Sequence, residues 1–171
     1  MNDETRYLFL LSGVPGSGKS TLAQKLISGS GQGNIRKINE WCEADDWWYI
    51  YGHGKYAFNP KLLGTAHKWC QNKARSAMMK NENLIVSNTN LTVKDRGFYF
   101  DCAEEYGYKV VFIHLDGGFK NIHDVPEETV GRMKEKYQSP CPYERELIVK
   151  KSEMNDGLKS LLDSCNVNYE Y

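Results

Sequence analysis

The sequence of 171 residues predicts an α/β fold, a parallel sheet of about five strands with helices on both faces. Short apolar runs typical of buried strands alternate with helical patterns along the chain. One strand-to-helix junction, residues 13–21, fits the pattern G-x-x-x-x-G-K-[ST]. Because the length suits one domain and no linker or repeat interrupts it, we expect residues 1–171 to fold as a single unit.

The elements are assigned in order from apolar periodicity and turn residues. Strands are expected at 7–11, 35–38, 84–86 and 110–113, with a possible fifth at 167–171. A helix is expected directly after residues 13–21, the pattern of a phosphate-binding loop (below, the phosphate loop). Further helices are expected from Pro60 to about Met79, from Thr92 to about Tyr106, from Pro126 onwards, and around 144–151 and 158–162. Proline suits a first helical turn, Thr92 suits an N-cap, and Gly107 ends its helix.

Composition narrows the class of protein. The 22 lysines and arginines balance 22 aspartates and glutamates, so no overall basic field attracts nucleic acid. The five scattered cysteines include no C-x-x-C pair, which argues against a disulfide framework or a zinc site and is typical of a reducing cytosol. No apolar run approaches membrane-spanning length, and residues 7–11 run directly into the phosphate loop as a core strand would. We therefore expect a soluble cytoplasmic protein without membrane association.

The phosphate loop predicts a site for a nucleoside triphosphate. Its glycines let backbone N–H groups approach phosphates, and the positive end of the following helix faces the same anion. Lys19 is expected to reach the β- and γ-phosphates and Ser20 to bind Mg²⁺. The predicted nucleotide-binding residues are Gly13, Pro15, Gly16, Ser17, Gly18, Lys19, Ser20 and Thr21.

Polar clusters follow the second, third and fourth predicted strands, where ligands of parallel sheets gather. Phosphoryl transfer to a hydroxyl needs a proton acceptor, and one of Asp45 and Asp46 is the candidate. Adjacent residues of an extended chain point in opposite directions, so the other carboxylate is assigned to Mg²⁺ or to solvent. Helix capping is the alternative role for the pair.

Two further segments carry candidate residues. The loop 116–125 is expected to close as a lid, with Lys120 stabilising charge on the transferring group. Ser87 and Asn88, at the end of the third strand, are expected to position the substrate. The aromatic run at 47–49 suits either stacking on a nucleobase or packing in the core or lid.

Together these segments resemble the polynucleotide-kinase-type P-loop kinases, over residues 7–137. The resemblance is carried by the phosphate loop, Asp45-Asp46, Y-x-F-N-P at 56–60 with His67 and Trp69, I-V-S-N-T-N-L at 85–91, and N-I-H-D-V-P at 121–126 with R-M-K at 132–134. It implies ATP- and Mg²⁺-dependent phosphorylation of a polynucleotide 5′-hydroxyl. By the resemblance Asp45 is the general base.

The same resemblance guides the remaining assignments. Trp48 and Lys120 stand where the phage member of that family has arginines, and Asn88 stands where it has an aspartate. We assign Asp46 to Mg²⁺, Arg132 to the nucleotide, and Trp48, Asn88, Asn90 and Arg96 to the substrate.

The leading interpretation is a kinase that phosphorylates a hydroxyl of nucleic acid bound over a few nucleotides, either single-stranded or at an end. The first alternative is a kinase of a hydroxymethylated base in phage-like DNA modification, or of a nucleoside or other small metabolite. A non-catalytic nucleotide-binding adaptor is an alternative of another class, and the presence of Lys19, Ser20 and Asp45 argues against it.

Overall fold

The computed structural model describes residues 5–33, 35–117 and 125–171. These residues form the strands β1 (Tyr7–Ser12), β2 (Ile38–Cys42), β3 (Asn83–Val86) and β4 (Lys109–His114). Their α-helices are α1 (Lys19–Gly29), α2 (Asp46–Tyr51), α3 (Leu63–Met79), α4 (Val93–Tyr106), α5 (Glu127–Glu135), α6 (Pro142–Leu147) and α7 (Asp156–Ser164). Short 3₁₀ turns occupy Pro60–Leu62 and Lys151–Glu153. None of the helices in the described ranges is both long and apolar enough to cross a membrane.

The strands form one parallel sheet in the order β2-β3-β1-β4, which confirms the α/β prediction. The expected count of five strands is wrong, because residues 167–171 add no strand to the sheet. That segment is anchored instead by single hydrogen bonds. The Tyr169 hydroxyl donates to the Val149 carbonyl, and the Lys151 N–H donates to the Tyr171 carbonyl.

The second strand lies later in the chain than the apolar pattern predicts. Its register pairs Ile38 with Asn83 and Cys42 with Val86, and it shifts between Ile38 and Glu40. This irregularity breaks the simple alternation from which strands are recognised. As a consequence the strand ends at Cys42, so that the acidic residues which follow lie at the carboxyl edge of the sheet.

The core lies on both faces of the sheet, because successive β1 side chains point to opposite sides. Leu8 and Leu10 pack in one buried cluster with residues of α3 and α4. Phe9 and Leu11 pack in the other with residues of α1 and α7. Both layers fix the position of β1, and with it the start of the phosphate loop.

The segment after α5 is fastened to α4 by a buried ion pair. Arg96 Nε and Nη2 donate to the two Glu144 carboxylate oxygens over 2.9 and 3.0 Å, and both side chains are almost fully buried. Arg96 Nη1 also donates to the carbonyls of Asn90 and Leu91. The assignment of Arg96 to the substrate is therefore wrong, because its guanidinium is enclosed by these partners.

Replacing Arg96 by methionine (Arg96→Met) should lower the free energy of unfolding by about 3–5 kcal/mol, since it leaves the Glu144 carboxylate buried without its partner. Urea denaturation measures this decrease. The matched control is Arg145→Met, an exposed arginine on α6, which should stay within about 0.5 kcal/mol of the parent. An Arg96 variant of unchanged stability but weakened acceptor binding would contradict the structural role.

Candidate active site

The phosphate loop joins β1 to α1 and is shaped by close backbone packing. A Cβ on Gly13 would lie 2.4 Å from Ser17 Oγ and 2.7 Å from the Leu115 carbonyl oxygen, so only glycine fits there. Gly18 has a φ of 95° and precedes α1, whose N-terminus no side chain among the described residues caps. The first amide groups of α1 are consequently available to an anion held in the loop.

Lys19 folds back across this loop. Its Nζ donates to the carbonyl oxygens of Gly13 and Val14 over 2.8 and 3.0 Å. Burial lowers the pKa of Lys19 to about 8, although the negative charges of Glu43 and Asp45 oppose this shift. A bound triphosphate would favour the charged ammonium, because nearby anions stabilise it. Lys19 is thus a buried cation at the phosphate loop, within the electrostatic reach of two carboxylates.

The acidic segment after β2 adopts a different backbone from the one expected. Asp45 is helical, with φ −63° and ψ −24°, and precedes α2, while Asp46 is the first residue of that helix. The extended geometry assumed for this pair is therefore wrong. Partial burial of the Asp46 carboxyl raises its pKa; the charge of Lys73 opposes this shift and the charge of Asp45 adds to it. Of the two carboxylates, Asp45 acts on Lys19 and Asp46 lies in the field of Lys73.

Glu43 is a site residue to which sequence reasoning gave no role. Burial raises its pKa to about 7, and the neighbouring charges of Asp45 and Asp46 add to this effect, while Lys19 and Lys73 oppose it. Glu43 directly follows β2, which ends at Cys42. Because the strand was expected at 35–38, the sequence offered no reason to place Glu43 at the carboxyl edge of the sheet. Glu43 therefore joins Asp45 as a second carboxyl group whose charge reaches Lys19.

Residues 87–90 connect the acidic segment to the phosphate loop. Asn88 Oδ1 accepts from the Ala44 N–H over 2.8 Å, and its Nδ2 donates to the Tyr99 hydroxyl over 3.1 Å. Asn90 Nδ2 donates to the Leu11 carbonyl over 2.8 Å. Both side chains are buried, so their assignment to the substrate is corrected: their amide groups are engaged inside the protein and position the two segments.

The assignment of Trp48 to the substrate is corrected for the same reason, burial of its side chain. Its side chain is 0% exposed, and its ring packs edge-on against Trp47 and Phe58 with centroids 5.1 Å apart in each case. Its indole Nε1 finds no hydrogen-bond partner among the described residues. A nucleobase cannot reach this ring, whereas the adjacent Tyr49 is 51% exposed.

The remaining predicted nucleotide-binding residues lie on or near the loop, with one exception. Pro15, Gly16 and Ser17 form its turn, and Ser20 and Thr21 lie in the first turn of α1. Arg132 is exposed on α5, with its Nη2 3.9 Å from Glu128 Oε1, and its assignment to the nucleotide stays a prediction. Lys120 and most of the expected lid lie outside the described residues, which omit 118–124.

The oxygen-bearing side chains near the phosphate loop suit a magnesium ion that is also bound by phosphate oxygens. Within the described ranges no three His, Cys, Asp or Glu side chains form a metal-binding group. Mg²⁺ is commonly held by one or two protein oxygens together with phosphate oxygens and water. The hydroxyl of Ser20 and one carboxylate, such as that of Asp46, fit this requirement.

A cavity of about 390 Å³ lies beside the phosphate loop. It is lined by Val14, Leu91, His114, Leu115, Asp116, Lys134 and Tyr137. The Tyr137 ring stacks on His114 with centroids 3.6 Å apart, and burial lowers the pKa of His114. The segment at the end of α5 therefore closes one side of a space large enough for part of a ligand.

Comparison with known proteins shows the family to which the chain belongs. The family model described as "AAA domain" matches residues 8–117, which include the phosphate loop and the segments that hold it. The chain belongs to this family. This AAA domain is 39% identical over 141 residues to human NEDD4-binding protein 2, covering 77% of this chain and 8% of that protein.

Two further similarities concern a curated protein and a solved structure. It is 27% identical over 150 residues to the bifunctional polynucleotide phosphatase/kinase of Schizosaccharomyces pombe, covering 80% of this chain and 31% of that protein. The chain therefore spans less than a third of either curated relative. The structure of Chaetomium thermophilum Kti12 in complex with ADP-AlF3 matches with a TM-score of 0.55 at 14% identity, covering 91% of this chain and 95% of that one. This last similarity shows the shared fold.

The raised pKa of Glu43 predicts a stability penalty that depends on pH. Because its folded-state pKa of about 7 exceeds the ordinary 4.5, ionisation opposes folding: the penalty is absent below pH 4.5, grows up to pH 7 and is complete above it. Glu43→Gln should therefore raise the free energy of unfolding by about 1–3 kcal/mol at pH 8 and leave it nearly unchanged at pH 4.5. Denaturant titrations at both pH values measure the difference.

The matched control is Glu146→Gln, an exposed glutamate on α6, which should change the free energy of unfolding by less than about 0.5 kcal/mol at pH 8. If Glu43→Gln destabilises the protein at pH 8, the carboxylate is stabilised in the fold and the stated burial penalty is wrong.

Proposed function

We propose that this AAA domain is an ATP- and Mg²⁺-dependent kinase that transfers the γ-phosphate to a nucleic-acid hydroxyl, most simply a polynucleotide 5′-hydroxyl. The observation that carries the proposal is the joint placement of a phosphate-binding cation, Lys19, and a carboxylate, Asp45, whose charge acts on it. The similarity to the yeast polynucleotide phosphatase/kinase supports the choice of acceptor.

The chemistry follows from these positions. Asp45 accepts the proton of the acceptor hydroxyl while the oxygen of that hydroxyl bonds to the γ-phosphorus. The bond from the γ-phosphorus to the β-phosphate oxygen breaks, and ADP is released. Lys19 and the amide groups at the start of α1 neutralise charge on the phosphates. Mg²⁺, when held by Ser20 and a carboxylate such as Asp46, would supply further charge neutralisation.

A kinase of a nucleoside or another small hydroxyl compound is the second candidate. It is favoured by one observation: Arg96, a cation expected to meet the substrate, is buried against Glu144. We also propose that residues 1–171 form one domain. We place this domain in the cytosol, with which the five free cysteines are compatible.

Asp45→Asn should lower the rate of phosphoryl transfer by roughly 10²–10⁴-fold, since the amide cannot accept the acceptor proton. ATP binding should persist because the phosphate loop is unchanged. Initial rates with labelled ATP, together with nucleotide binding by calorimetry, check both results. Lys19→Ala, which removes the phosphate-binding cation, is the matched variant and should weaken binding and transfer together. If Asp46→Asn rather than Asp45→Asn removes turnover, the base is misassigned.

The acceptor should be nucleic acid bound over only two or three phosphates. Each phosphate bound adds about −0.7 to the slope of log affinity against log salt for a single strand, so the slope should be about −1.4 to −2.1. The test combines oligonucleotide binding across salt concentrations with an acceptor panel of 5′-hydroxyl DNA and RNA, hydroxymethyluracil DNA and nucleosides. A slope of zero with phosphorylated nucleoside would replace this proposal by the small-molecule kinase.

A further inference from the structure

The charges of this neutral chain are unevenly distributed. No aspartate or glutamate occurs from Trp47 to Asn81, a segment that comprises most of α2, the following loop and α3. The lysines and arginines of this segment are Lys55, Lys61, Lys68, Lys73, Arg75 and Lys80. Lys73 is partly buried and paired with Glu40, while the other five are exposed. The surface of this segment is therefore positive and suits a polyanion.

Four aromatic rings are exposed at the start of the same segment. Tyr49, Tyr51, Tyr56 and Phe58, here called the aromatic surface, are each between 45% and 53% exposed. Exposed rings concentrated in one short stretch commonly mark a binding site. Each ring also has a protein neighbour: Tyr56 meets Tyr49 edge-on at 5.3 Å, Tyr51 stacks on Trp47 at 5.0 Å, and Phe58 packs on the buried Trp48.

Backbone hydrogen bonds close the turn on which this surface lies. The Gly54 N–H donates to the Tyr49 carbonyl over 2.7 Å, and the Ala57 N–H donates to the Trp48 carbonyl over 3.3 Å. A Cβ on Gly52 would lie 1.9 Å from the Lys55 carbonyl oxygen, so the loop packs too closely for any other residue. Rings fixed before binding lose little conformational entropy when a ligand stacks on them.

The aromatic surface adjoins the candidate base. The helix α2, which carries Tyr49 and Tyr51, begins at Asp46, directly after Asp45. The charges of Asp45 and Glu43 reach the Tyr56 hydroxyl and, together with burial, raise its pKa. A strand lying across these rings would thus have its end near Asp45.

We propose that the aromatic surface, together with Lys55 and Lys61, binds the single-stranded acceptor nucleic acid, with the bases next to the reacting 5′ end stacked on Tyr49 and Tyr56. This rests on the proposed function and assigns the acceptor to a definite face of the domain. Exposed rings interspersed with cations match single strands, since every base presents a π-face and every linkage a negative charge. A symmetric dimer through this face would bring the same positive charges of two copies together and be disfavoured.

The first test measures binding of a six-nucleotide 5′-hydroxyl oligothymidylate, without ATP, by fluorescence anisotropy. Replacing Tyr49 and Tyr56 together by alanine should weaken binding on the order of 5- to 150-fold for each stacked base that is released. The matched pair Tyr49→Phe and Tyr56→Phe retains both rings and should bind within about twofold of the parent. Met79→Ala, an exposed apolar residue at the far end of α3, is the control for general surface effects.

Two results of this test would overturn the inference. One is equal binding by the alanine variant and the parent, and the other is a parent dimer in solution that the alanine changes convert to a monomer. Unchanged thermal unfolding of the alanine variant keeps weakened binding interpretable.

The second test addresses the cations. Lys55→Gln with Lys61→Gln should make the salt slope of binding shallower by roughly 1.4, because two phosphates are no longer neutralised by lysine. Lys80→Gln, at the other end of α3, should leave the slope unchanged. A slope that Lys55→Gln and Lys61→Gln do not alter would remove these residues from the site.

Failure of this inference is distinguishable from failure of the proposed function. Binding through the aromatic surface without phosphorylation of any acceptor would refute the kinase proposal alone. Phosphorylation of the oligonucleotide with the same KM in the parent and the alanine variant would refute the aromatic surface alone.

Discussion

The geometry of this site depends on the hydrogen bonds of three residues, 88–90, that follow β3. Asn88 holds the Ala44 amide, the Thr89 carbonyl accepts from the Gly13 amide over 2.9 Å, and Asn90 holds the Leu11 carbonyl. One short segment therefore joins the turn that carries Asp45 to the entrance of the phosphate loop. Phosphoryl transfer is catalysed largely by positioning and charge stabilisation, so in the proposed kinase these bonds would set the position of the candidate base Asp45 relative to the phosphate loop.

Features encoded locally could be predicted from the sequence. The phosphate loop is one contiguous motif, and α4 begins at a capping box formed by Thr92 and Asp95 and ends at Gly107, as the pattern indicates. Features set by distant partners could not be predicted. Nothing near Arg96 in the chain reveals that Glu144 will neutralise it, and the irregular register of β2 concealed the position of Glu43.

Burial disfavours the charged forms of Lys19 and Glu43 in this site. Burial lowers the pKa of Lys19 to about 8 and raises that of Glu43 to about 7, so each group is closer to losing its charge than it would be in water. Holding them together lowers the stability of the fold. Groups displaced from their ordinary pKa in this way are typical of sites that bind or transfer charged ligands. A bound triphosphate would restore the charge of Lys19, which couples nucleotide binding to the electrostatic state of the carboxylates beside it.

The distribution of charge on either side of residues 46 and 47 bears on how the proposed nucleic-acid acceptor would be oriented. Glu43, Asp45 and Asp46 carry carboxylates. The following residues, 47–81, include no acidic residue, and they carry exposed rings as far as Phe58 and cations as far as Lys80. In the proposed complex, a polynucleotide phosphate would be attracted to the second region and repelled by the first. The end of a strand that bears an uncharged 5′-hydroxyl would then be the part that approaches Asp45 at the least electrostatic cost. Overall neutrality is therefore compatible with binding a polyanion, because the position of the charges along α2 and α3, rather than their sum, sets the direction in which it lies.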